Sequence, residues 1–162
     1  MNRIASLKTM FRSILTSFIF LAVCSQFTLG QESATAKVNR LLQENNYKFV
    51  VKKAGVWTVV FNGKDLKSFT VVLASSDDLL VTFVTVAQKK DMELTPNFIQ
   101  TLLKFNDSLD RVKVGIDSDG DLFVRTDQSI RILDAKEFKD NTEQLAASAN
   151  EVYAGIKSLL KQ

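Results

Sequence analysis

The 162-residue sequence contains no histidine, one cysteine and one proline. Without imidazole the chain has no side chain that ordinarily titrates near neutrality, and a Cys/His zinc site is excluded. The sole cysteine is Cys24, close to the N-terminus. Beyond it there is neither a disulfide nor a thiol nucleophile, and most hydrolase constellations fall with these absences. Phosphate-cradling patterns are missing too: no G-x-G-x-x-G or P-loop occurs. Stability must come from an apolar core, and the roughly 130 residues after the N-terminal segment suffice for one domain burying about two-thirds of its unfolded surface.

What is present begins with Arg3, Lys8 and Arg12 ahead of an apolar run from Ile14 to Val23, then a looser polar stretch. That is the tripartite form of a secretory signal peptide over residues 1–30, with small Thr28 and Gly30 suiting cleavage after Gly30. The run is about half of the roughly 20 residues a membrane span needs, so no integral span is expected after cleavage. The stretch Leu21 to Cys24 resembles a lipoprotein box, with bulky Val23 before the cysteine. Two locations are open, periplasmic or secreted, and lipid-anchored through Cys24. The segment's three cations account for the formal excess of +3, so the remainder is balanced. A neutral domain lacks the field that gathers polyanions, and nucleic acid is not an expected partner. The pairs Lys52-Lys53 and Lys89-Lys90 lie beside predicted turns, as solvated residues do.

Residues 31–162 read as a single α+β domain. Val38, Leu41 and Leu42 predict a short amphipathic helix ending near Asn45 and Asn46. Four β-rich runs, "YKFVVKK", "VWTVVFN", "LKSFTVVLA" and "LLVTFVTVA", are separated by short turn-forming junctions and predict an antiparallel four-strand meander. Tyr47, Phe49, Val51, Trp57, Val59 and Phe61 form the expected core-facing sets. The third and fourth strands are apolar at successive positions, so Val72, Val84 and Val86 call for cover on a second side. "LTPNFIQTLLKFND" predicts a second helix, N-capped by Thr95 with Pro96 at its first position and a core stripe of Phe98, Leu102, Phe105 and Ile99. "SIRILD" is a possible extra strand. Phe138, Thr142, Leu145, Ala149, Val152, Ile156 and Leu159 then advance by fours and threes along a long terminal helix.

The stretch "VKVGIDSDGDLFVRTD" places Asp117, Asp119 and Asp121 at the first, third and fifth positions of a calcium loop. Its sixth position is Leu122 and its twelfth Gln128, where glycine and a bidentate glutamate belong. A hairpin with the loop Ser118-Asp119-Gly120 pairs Ile116 with Leu122 and Val114 with Val124, giving one consistent apolar face. Gly120 supplies the positive φ of that loop, and Phe123 falls opposite Gly115, where an aromatic ring covers a strand glycine. No metal or cofactor is expected. "SLLK", Ser158 to Lys161, has the S-x-x-K spacing but no S-D-N or K-T-G companion, so no catalytic residue is assigned. "NDS" from Asn106 is a glycosylation sequon that matters only in a eukaryotic secretory pathway.

The order of helix, strand meander, helix with "LLKFND", hairpin "RVKVGIDSDGDLFVRTD" and long final helix resembles the YbjN-like family of bacterial sensory transduction regulators. That family is similar in fold to type III secretion chaperones. The resemblance spans residues 34–160 and is densest at Leu102-Leu103 to Asn106 and Asp117 to Leu122. It implies a non-enzymatic protein acting through a polypeptide partner or as a homodimer, and carries no catalytic residues with it. Trp57, Val72, Val84 and Phe123 are the candidate partner contacts. A cystatin-like inhibitor is the alternative suggested by the opening helix and four strands, although its Q-x-V-x-G loop is missing. A small carboxylate-based enzyme, or one using Ser158 with Lys161, is a third reading.

Overall fold

Ser33 starts the first helix by accepting the Ala36 amide on its hydroxyl at 3.2 Å, which satisfies one of the free N–H groups of the first turn. The computed structural model describes residues 32–161; the expected signal segment, its expected cleavage point after Gly30 and Cys24 lie outside the described residues. Helix α1 (Ala34–Glu44) buries Val38, Leu41 and Leu42 and ends at Asn45. The left-handed Asn46, with φ 56°, then turns the chain into the sheet.

Strands β1 (Phe49–Lys53), β2 (Val56–Asn62), β3 (Ser68–Ser76) and β4 (Leu79–Ala87) form the expected antiparallel meander. Gly55 at φ 72° makes the first of its turns. Helix α2 (Pro96–Ser108) starts as its sequence predicts, with the Thr95 hydroxyl accepting the Phe98 amide at 3.2 Å and Pro96 in the first turn. The hairpin β5 (Lys113–Ile116) and β6 (Leu122–Ser129) follows, and the long helix α3 (Ala135–Ile156) closes the domain, N-capped by Asp134. Because β6 returns beside β4, the six strands run β1-β2-β3-β4-β6-β5. The result is an α+β fold with a single mixed-origin antiparallel sheet.

Alternation decides which side of each strand is covered. Phe69, Val71 and Leu73 of β3 and Leu80, Thr82, Val84 and Val86 of β4 are buried, and all three helices pack against these strands and their neighbours. Phe138, Thr142, Leu145, Ala149, Val152 and Ile156 form the buried stripe of α3, as their spacing predicts. Asparagines tie this layer to the sheet. Asn39 accepts the Trp57 indole N–H at 2.6 Å, and Asn150 accepts the amides of Asp65 and Leu66 at 2.9 and 3.1 Å.

Four local expectations are corrected. "SIRILD" adds no strand: Ser129 ends β6, and Ile130–Ile132 form a 3₁₀ turn whose Ile130 amide donates to the Asp78 carbonyl at 2.8 Å. The terminal α-helix stops at Ile156, leaving Leu159 in a 3₁₀ turn. Ile99 lies one position round from the Phe98–Leu102 stripe and is exposed. Val51 shares the inward parity of Phe49 but sits on the outermost strand, where it is 55% exposed.

The open sheet face as candidate binding surface

The register carries one row of side chains across all six strands on the side away from the helices: Val50, Thr58, Val72, Phe83, Arg125 and Lys113. Beside it run Val56, Ala74, Val81 and Asp127. Val60 lies on the same side and is 63% exposed. No helix covers this face among the described residues. Its centre is apolar and part-exposed, an arrangement that in a folded domain marks an interaction surface more often than an accident of composition.

One end of the row is fixed by charge. Asp127 accepts from Lys113 Nζ at 2.8 Å and from Arg125 Nε at 2.6 Å. Burial pushes the Asp127 carboxyl up, but the hydrogen bonds from Arg125 and Lys113 outweigh it and hold the group below the ordinary aspartate range. The link holds Arg125 beside Phe83, and together with Val81, Phe123 and Asp117 these side chains line a shallow depression of about 220 Å³. Such a surface offers shape, apolar area and a cationic border. It presents no nucleophile–base pair.

The four sequence-derived contact candidates separate. Val72 and Phe123 lie on the open face, half-buried. Trp57 and Val84 are fully buried on the helix side, so in this fold they form core and present no surface to a partner. The reason is parity. Val72 pairs with Phe83, so Val84, one residue on, points to the other side. Sequence reasoning missed Val60, Val81 and Phe83. Counting outward from the tight Asp77-Asp78 turn, where Ser76 pairs with Leu79, places Phe83 opposite Val72 and would have found it.

The aspartate-rich loop is a hairpin turn. Ile116 pairs with Leu122, Val114 with Val124 and Gly115 with Phe123. Asp117 Oδ1 accepts the amides of Asp119 and Asp121, both at 2.9 Å, and Gly120 takes φ 90°. Asp121 in turn accepts the Lys89 amide at 2.8 Å. Among the described residues no group of three or more acidic, histidine or cysteine side chains is arranged to hold a metal ion. Phe123 lies over Gly115, where an added Cβ would sit 2.8 Å from the ring. Ser158 lies in the exposed 3₁₀ turn after α3, and the Lys161 amide is bonded to the Asp91 carbonyl.

The "LLKFND" segment acquires a role that its sequence did not disclose. Asn106 accepts the Val114 amide at 2.9 Å and donates to the Val114 carbonyl at 2.8 Å. A single side-chain amide thus occupies both backbone groups of an outer strand, as a neighbouring strand would. A second cleft, of about 550 Å³, lies between the end of β6 and the start of α3. Its wall includes Arg111, a left-handed residue at φ 60° whose guanidinium is paired with Glu137 at 2.8 Å.

An antiparallel sheet with helices on one face defines an α+β class of fold that this chain shares with chains solved in type III secretion chaperone complexes. The chain is similar to a chain of the complex between the Yersinia pestis type III secretion chaperone SycH and a fragment of YscM2, with TM-score 0.54 and 14% identity over 74% of this chain and 99% of that one. It is likewise similar to a chain of the ExsC–ExsE complex, with TM-score 0.58 and 18% identity over 74% of this chain and 93% of the other. YbjN from E. coli gives TM-score 0.53 and 16% identity, covering 77% and 93%. Residues 35–158 match the model of the YbjN family, described as "Putative bacterial sensory transduction regulator", and the chain belongs to that family. A search of curated proteins found no match. No helix among the described residues is long and apolar enough to cross a membrane.

Proposed function

We propose that this chain is an exported, non-enzymatic binding module that holds a polypeptide on the open face of its sheet. The observation that carries the reading is the row Val50, Thr58, Val72 and Phe83, with Val60 and Val81 beside it, on the side of the sheet away from the three described helices. Family membership and the occurrence of the same fold in chaperone–protein complexes support it. Export is a separate part of the proposal, supported by the cationic and apolar N-terminal segment. In the periplasm or outside the cell, or tethered there through Cys24, the partner is a polypeptide of that compartment.

Selection of phage-displayed random peptides against the full chain tests the binding reading. Enriched peptides are expected to lose binding at least about tenfold to Phe83→Lys, a change at a part-exposed position outside the buried core. Enrichment that ignores Phe83→Lys and Val72→Lys alike would count against the face. Fractionation, with N-terminal mass spectrometry of the recovered protein, tests export: a start at Gln31 is expected for cleavage after Gly30, and an acylated Cys24 for the tethered form.

A further inference from the structure

The sheet has two edges, and they are finished differently. On β5 the outward N–H and C=O of Val114 are both taken by Asn106. On β1 no strand lies beyond Phe49–Lys53 among the described residues, so alternate residues turn their backbone groups outward to solvent. Val50 and Val51 are 56% and 55% exposed there. Lys48, Lys52 and Lys53 are exposed, and none has an ion-pair partner among the described residues. From Asn45 to Lys64 the sequence has no acidic residue.

We propose that the outer edge of β1 is a strand-addition site for an extended, acidic segment of a partner polypeptide, with the pattern acid-x-apolar-x-acid. The proposal rests on the polypeptide-binding reading above. Charge complementarity selects this occupant. Pairing β1 antiparallel with β1 of a second copy, centred on Val50, sets Lys48 opposite Lys52, and like charges directly opposite are destabilising. An acidic strand in the same place puts a carboxylate against each lysine and an apolar residue against Val50. A concavity of about 750 Å³, lined by Tyr47, Lys48, Phe49, Val50, Val60 and Asn62, lies along the edge and gives that residue's neighbours apolar cover. It also joins the edge to the open face through Val60, so one bound segment gains backbone pairing from β1 and side-chain contact from the face.

Two fluorescein-labelled decapeptides of alternating valine and threonine serve as probes, one with glutamates and one with lysines at the flanking positions. Fluorescence anisotropy with the full chain is expected to show the glutamate peptide binding about tenfold or more tighter, with the difference shrinking as salt is raised. Lys48→Glu with Lys52→Glu, both at exposed positions, should reverse the preference, and the glutamate peptide should slow amide exchange along β1. Equal binding of the two peptides, indifference to the charge reversal, or formation of a β1-dependent dimer in place of peptide binding would overturn the proposal. The phage-selected peptides separate the two readings. Dependence on Phe83 without dependence on Lys48 and Lys52 removes the edge site and keeps the face, whereas dependence on neither removes both.

Discussion

On its helix side the sheet buries Trp57, Val71, Leu73, Leu80, Val84 and Val124 beneath three helices, and asparagines pin the layers together. On the other side the same strands present Val60, Val72, Val81 and Phe83 to solvent, with charge gathered at one end. Both sides are apolar, so hydrophobicity alone does not distinguish them. The difference is in what fixes each residue. A buried side chain is held by contacts that vanish only on unfolding, whereas an open-face side chain has half of its contacts still to make. Substitutions on the two sides should therefore report different quantities, one stability and the other binding.

The largest effect is expected at Phe138, fully buried against Tyr47 with ring centroids 6.1 Å apart. Phe138→Ala should lower unfolding stability in urea by about 3–5 kcal/mol. Asn106→Ala is next: it strips both bonds from Val114 and should cost about 1–3 kcal/mol, with faster amide exchange in β5 before any other strand. Gly115→Ala drives a Cβ into the Phe123 ring and should cost about 1 kcal/mol or more, a loss partly relieved in the double variant with Phe123→Ala. Phe83→Lys, on the open face, should cost about 1 kcal/mol or less while weakening peptide capture at least about tenfold. If it unfolded the domain, the separation between the two faces would fail.

Tyr47 sharpens the contrast with a change of opposite sign. Its hydroxyl is buried without a hydrogen-bond partner, and burial, with Glu143 and Asp140 nearby, pushes its pKa up from 10.0 to about 12. The unfolded chain then ionises this group first as pH rises. Its contribution is fully present below pH 10 and is lost between about pH 10 and 12. Tyr47→Phe should be neutral or stabilising at neutral pH, since an unmatched hydroxyl is removed, and should flatten the alkaline limb of the stability profile.

How far the sequence disclosed this can be traced residue by residue. The cap at Thr95, the hairpin turn at Gly120 and the stripe from Phe138 to Ile156 are legible because each rests on local chemistry or on a period. The hairpin register was legible because only one pairing keeps Val114, Ile116, Leu122 and Val124 on one face. The open face was half legible. Strands rich in valine at successive positions hide their parity, so the sequence does not separate Val84 from Val72 although they face opposite ways. The alternation of β2 suits Trp57 to the core and its size suits it to a contact, and the Asn39 bond together with full burial makes it core. What joins β6 to β4, and Asn106 to Val114, depends on contacts distant in sequence that no period announces. The resemblance to the YbjN family supplied the fold where local patterns ended.

The Asn106 amide has a consequence for how the protein is produced. Asn106, Asp107 and Ser108 spell an acceptor site for N-linked sugar, and the nitrogen that would carry the glycan is the one donating to Val114. A host whose secretory pathway modifies that site before the hairpin docks would replace a strand-like clasp with a bulky, hydrated chain and leave the sheet unfinished at its far edge. The yield of folded protein then depends on a race between glycan transfer and the closing of β5 onto α2, a race that bacterial expression does not run.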